Sequence, residues 1–225
     1  MNLEYPPADP APEKEVHWSE LSSRVENIVD GLGRRTIDEN IKETVVGLMA
    51  NGFNTEASCG GHFEEEEGFR FPSVDVGNPG RPKYRYEGEE ECVAQIINKY
   101  NLSSRGEIYD GGKMEEELEN ELSSLGYKKQ TKEYSDWYEG LSPLKESLGE
   151  LLAEFNKKAL EQAIPGSLKF GKIYGACRIE AEGSLEPDQR DSLEREDLVR
   201  RIKQAQIVFD HFGKFLKERY FGKNA

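Results

Sequence analysis

The chain has 225 residues, 36% of them hydrophobic and 33% charged, with a mean hydropathy of -0.78. Its 44 Asp and Glu against 30 Lys and Arg leave a formal charge of -14, which disfavours nucleic acids and anionic membranes as partners, since both are bound largely through surface cations. No apolar run approaches the roughly 20 residues that span a bilayer, the acidic start lacks the apolar core of a signal peptide, and three widely spaced cysteines make no disulfide framework; a reduced, cytoplasmic protein is expected.

Residues 1–15 carry four of the ten prolines and little that is apolar, which predicts an extended or disordered arm. Residues 16–225 are expected to form a single domain with an insertion at 102–140. From Trp18, apolar residues at Leu21, Val25, Ile28, Val29 and Leu32 mark one helical face, with Gly33 as its stop. Thr36 and Glu39 have the spacing of a capping box, and Ile37, Ile41, Val45 and Leu48 line the helix behind them, which ends at Asn51-Gly52.

A short strand is predicted over Phe53–Ser58, then a C-G-G-H corner, an acidic loop at Glu64–Glu67 and a second strand over Phe69–Val76. Cys92, Val93, Ile96, Ile97 and Tyr100 mark a further helix. Met114, Leu118, Leu122 and Leu125 suggest a short acidic one, and Leu144, Leu148, Leu151, Leu152 and Phe155 an amphipathic one that ends before Pro165. The run "SLKFGKIYGACRIEAEG" predicts one or two strands with a bend at Gly171 or Gly175. Leu198, Ile202, Ala205, Phe209, Phe212 and Leu216 predict a long closing helix. Strands and helices mix without β-α-β alternation, so the expected class is α+β: a small, mainly antiparallel sheet covered by helices, with a long C-terminal helix.

The chemistry concentrates at Cys59, Gly60, Gly61 and His62. Adjacent glycines permit a tight turn and let a ligand approach the main chain. A thiol and an imidazole three residues apart can converge as a nucleophile with its base, or as part of a metal site. Cys59 and His62 are therefore the candidate catalytic residues and candidate metal ligands. A closed zinc site needs four ligands, and no second C-x-x-C or H-x-x-H exists; Cys92, Cys177, His17, His211 and carboxylates are the remaining candidates. Asp75 and Arg178 alternate against apolar strand neighbours, and with Ser58, Gly60 and Gly61 they complete the candidate ligand-binding set. For both charged residues a solvent-facing strand position is the commoner alternative.

The run G-F-N-T-E-A-S-C-G-G-H, the following F-P-S-V-D-V and the closing F-D-H-F-G-K-F-L-K-E-R-Y-F resemble a group of bacterial proteins without an assigned activity. These carry a T-x-x-S-C-x-G-H corner followed by a P-x-V-x-[VI] strand. The resemblance covers residues 37–78 and 173–222 and implies a shared fold and site, but no reaction. The corner is also similar to the T-x-S-C-S-G-R corner of the wybutosine-synthesising tRNA methyltransferase family. Ser58, Cys59 and Gly61 match, while Gly60 and His62 stand where that family has serine and arginine. This second resemblance implies a corner that touches a small anionic or adenosyl ligand. The expected function is a small-molecule or metal site at the corner, on a protein that is enzymatic in one reading. The alternative is a non-enzymatic interaction module with a structural turn, and the third reading is an S-adenosylmethionine-dependent methyltransferase. No cofactor is identified by the residues themselves.

Overall fold

The computed structural model describes residues 11–28, 37–64, 68–104, 108, 113–124, 129–171, 176–185, 187–190 and 193–222. The chain divides into two compact units, one formed by Met1–Gly77 with Pro143–Ala225 and the other by Asn78–Ser142. The stretch expected as an insertion lies in the second.

In the first unit, helix α1 spans Ala11–Glu26. It takes in residues 11–15, which proline content alone assigns to an extended arm. Pro12 falls in the first helical turn, where its missing N–H is no loss, so the proline-rich stretch starts a helix. The predicted stop at Gly33 and the capping residue Thr36 lie outside the described residues. A 3-10 turn at Glu39–Ile41 leads into α2, Lys42–Ala50. Asp38, not Thr36, is the residue at the head of this turn.

The sheet has four antiparallel strands in the order β1-β4-β6-β5: Thr55–Cys59, Ser73–Val76, Cys177–Ala181 and Leu168–Gly171. A separate hairpin joins β2, His62–Glu64, to β3, Gly68–Arg70. The single strand expected over Phe69–Val76 is thus two strands, because Pro72 has no N–H to give to a ladder. Register pairs Asp75 with both Ala57 and Arg178, and Ser73 with both Cys59 and Glu180. Alternation then separates the faces. Val74, Val76, Cys177, Ile179, Ala181 and Leu168 form a buried apolar face. Cys59, Ser73, Asp75, Arg178, Glu180 and Lys169 share the polar one.

The C-terminal helix of this unit, Arg195–Phe221, is one element of 27 residues. Every position predicted for its apolar face, from Leu198 to Leu216, is buried. Phe212 and Phe215 pack on Phe155 with ring centroids 5.0 and 5.6 Å apart, so the phenylalanines of this helix belong to the chain's own core. Phe155 comes from the helix Leu141–Glu161. The C-terminal helix lies close against α2 because each contributes a glycine. A Cβ on Gly47 would stand 2.6 Å from Leu216 Cβ, and one on Gly213 would stand 3.1 Å from the Thr44 amide nitrogen. The short approach lets the Thr44 hydroxyl donate to the Phe209 carbonyl at 3.0 Å. This packing holds the head of α2 against the helix that also supports the corner.

The second unit has its own small core of Cys92, Val93, Ile96, Ile108 and Leu118. It carries the helices Glu89–Tyr100, Lys113–Ser124 and Lys132–Glu139. Of the residues proposed for the acidic helix, Leu118 is buried as expected and Leu125 lies outside the described residues. The architecture is α+β, and no helix among the described residues is long and apolar enough to cross a membrane.

Candidate functional site

The corner begins at the end of β1, an edge strand of the sheet, whose last residue is Cys59. The two residues after it must be glycine for different reasons. A Cβ on Gly60 would overlap the Asn40 side chain and stand 2.7 Å from Asp38 Cβ. Gly61 has φ +86°, and a Cβ there would meet Pro72 Cδ at 2.9 Å and Ile202 Cγ2 at 3.2 Å. The chain then enters β2 at His62, which pairs across the hairpin with Arg70.

Three side chains tie this turn down. Asp38 sits at an N-cap position but makes no cap bond to its own helix; its Oδ2 instead accepts from the Gly60 N–H at 2.6 Å. Asn40 Nδ2 donates to the Gly60 carbonyl at 2.7 Å. Gln206, on the C-terminal helix, donates to the carbonyls of Gly60 and Gly61 at 3.0 and 3.1 Å. With its amide and carbonyl groups satisfied by side chains, the corner is held as one geometry.

That geometry brings Asp38 and His62 together. Asp38 Oδ2 lies 3.3 Å from His62 Nε2. One carboxylate oxygen of Asp38, Cys59 Sγ and one ring nitrogen of His62 all lie within 4.8 Å of one another, each side chain partly buried. This is the one such group of potential metal ligands among the described residues. Burial pushes the Cys59 thiol above its usual pKa, and the Asp38 charge pushes the same way; the Gly61 N–H, Arg70 and Arg178 favour the thiolate but do not overcome it.

The other predicted residues divide. Asp75 and Arg178 face each other across β4 and β6 and form a bidentate pair, Nε to Oδ1 at 2.7 Å and Nη2 to Oδ2 at 2.9 Å. Asp75 is 6% exposed, so its expected alternative position on a solvent-facing strand is not what the chain builds. The pair shares the polar sheet face with Cys59, and the Arg178 charge reaches the thiol. Ser58 alternates to the opposite face from Cys59 and lines a separate recess of about 250 Å³ beside Ile37 and Val45. Cys92 and Cys177 are buried elsewhere, and His17, on α1, lies tilted against Tyr220 of the C-terminal helix. Of the acidic run, Glu64 closes β2 and residues 65–67 lie outside the described residues.

Sequence reasoning misses Asp38, Asn40 and Gln206. Asp38 and Asn40 stand in "TIDEN", where Thr36 and Glu39 absorb the local signal as a capping box. Gln206 lies 146 residues from Gly60, and nothing local marks it. Comparison with models of known protein families, with curated proteins and with solved structures finds no match.

Proposed function

We propose that the corner is a mononuclear metal-binding site of the zinc class, with Asp38, Cys59 and His62 as ligands and a fourth position open to water or a small molecule. The observation that carries this is the convergence of one oxygen, one sulfur and one nitrogen within 4.8 Å. Around a tetrahedral ion with oxygen and nitrogen ligands at about 2.0–2.1 Å, those two atoms stand about 3.3 Å apart. Asp38 Oδ2 and His62 Nε2 stand at 3.3 Å. The mixed donor set suits zinc better than a hard cation such as calcium or magnesium, which prefers oxygen ligands alone. An ion with three protein ligands keeps a position for water or substrate, which it activates as a Lewis acid.

Two features favour a metal over a bare thiol nucleophile. A nucleophile–base–carboxylate relay uses the two ring nitrogens on opposite partners, whereas here a single nitrogen is near both the sulfur and the oxygen. The raised pKa of Cys59 keeps the metal-free thiol protonated, and a bound divalent cation is what would deprotonate it. The hydrogen bonds that close on Gly60 and Gly61 support the second reading, in which the corner is a structural clamp of a non-enzymatic module.

Zinc titration of the metal-free protein separates them. One ion per chain is expected, with affinity rising from about pH 6 to pH 8 as the Cys59 proton becomes easier to displace. Cys59→Ser should weaken binding by at least about tenfold, the scale on which even supporting residues act. Zinc should also protect Cys59 from alkylation. Substoichiometric uptake, or uptake that Cys59→Ser leaves unchanged, rejects the metal reading. Stabilisation by S-adenosylmethionine without metal would support the adenosyl reading instead.

A further inference from the structure

A second concave site lies in the first unit, lined by none of the three ligands, with a volume of about 380 Å³. Its apolar wall is Phe71, Ala205 and Val208, and its polar wall includes Arg201, Gln204 and Ser184. The volume is within the range of small-molecule sites, which combine an apolar body with a few directed polar groups.

The polar rim carries two arginines, both exposed. Ser184 contributes to the wall, but its Oγ is closed off from the cavity and has no hydrogen-bond partner among the described residues. Arg200, also on the rim, pairs with Asp197 at 2.7 Å, whereas Arg201 makes no ion pair with any described residue. Along residues 194–203, Arg195, Arg200, Arg201 and Lys203 stand against Glu194, Glu196 and Asp197, and of these cations Arg200 and Arg201 line the cavity. Glu182 lies on the same rim, and its carboxylate takes the Ser167 hydroxyl. Gln204 gives its amide to the Pro165 carbonyl at 2.9 Å, leaving its oxygen as an acceptor.

We propose that this cavity binds a small organic anion. Arg201 is its charge partner, and Phe71 and Val208 hold its apolar body. A guanidinium recognises both carboxylate and phosphate, so the shared chemistry is an anionic head on an apolar group. Nothing in this inference depends on a metal at the corner.

The test is a thermal-shift and calorimetric titration of the whole chain at fixed ionic strength, because exposed charges are screened by salt. The probes are phenyl phosphate, benzoate and, as the neutral control, benzyl alcohol. One or both anions should raise Tm with concentration while benzyl alcohol does not, and which anion acts decides between a phosphate and a carboxylate head. Arg201→Gln should weaken the apparent affinity about tenfold, since loss of a charge-assisted hydrogen bond has that scale. Cys59→Ser should leave it unchanged, so that failure of the metal reading is told apart from failure here. No shift with either anion up to about 10 mM, weaker than any millimolar site, overturns the proposal. So does an Arg201→Gln variant that binds as well as its parent.

Discussion

Asp38 and Asp75 are both carboxylates set beside the four-stranded sheet, and the chain spends them in opposite ways. Asp75 is almost fully buried, and both of its oxygens are taken by one guanidinium in a bidentate pair. Asp38 has a side chain 37% exposed and meets a backbone amide and an imidazole nitrogen through the same oxygen. The first is closed: each partner answers the other, and little is left for a ligand. The second is open: its oxygen, a sulfur and a nitrogen point at one place without exhausting one another. Cys59 shares the polar sheet face with the Asp75–Arg178 pair, so proximity to the corner does not distinguish the two sets. What differs is that one pair matches a guanidinium fork to a carboxylate, whereas the other set gathers an oxygen, a sulfur and a nitrogen within 4.8 Å.

The largest expected effect tests the closed pair. Arg178→Met leaves the Asp75 carboxylate buried without its fork. Breaking a buried pair from one side costs about 3–5 kcal/mol, and the low end applies because Arg178 retains some solvent. Urea melts measure it. Combining Arg178→Met with Asp75→Leu should recover most of the loss, since replacing both charges by apolar groups is often neutral. If the single substitution is silent in stability, the pair is not structural, and its place beside Cys59 becomes a functional question again.

The next effect tests how rigidly the open set is held. Gly61→Ala combines a left-handed φ with contacts to Pro72 and Ile202 and should cost about 2 kcal/mol. Gly52 is an internal control: its φ is +87°, and a Cβ added there would meet nothing within 4 Å. Gly52→Ala should therefore cost only the backbone part, about 1 kcal/mol. Equal losses at the two positions would mean that the corner relaxes around the methyl and is softer than its hydrogen bonds suggest.

The comparison also explains what is legible in the residues alone. Helical spacing carries the C-terminal helix, because burial along one face is written in the residues themselves. Alternation places Asp75 and Arg178 against their apolar neighbours, but their burial depends on β4 and β6 pairing at that register, which no local pattern encodes. Cys59 and His62 stand out because they are rare residues flanking a glycine pair. Asp38 does not, since an aspartate before a helix is usually a cap for that helix, and here it serves a turn 22 residues away. The break at Pro72 is legible from its missing donor, yet the apolar run on either side of it reads as one long strand. The start of α1 at Ala11 is hidden by a composition that also suits a disordered arm.

The smallest expected effect on stability is the one most informative about the open set. His62→Ala removes a side chain that is 28% exposed and whose described ion pair is a partly exposed contact with Asp38. Pairs of that kind contribute about 0–1 kcal/mol, so the metal-free mutant should melt within about 1 kcal/mol of its parent. If the ring were a structural prop, a buried partner would be stranded and the cost would rise to about 1–3 kcal/mol. Zinc separates the two roles further. A ligand at 100 times its Kd stabilises the folded state by about 2.7 kcal/mol, so the parent should gain that much in a zinc-loaded melt and His62→Ala should gain far less at the same concentration. A small loss without metal and a large difference with it is the signature of a donor set held ready for an ion. A large loss without metal, and no response to zinc in either protein, would place His62 with Asp75 and Arg178 among the residues that hold the fold.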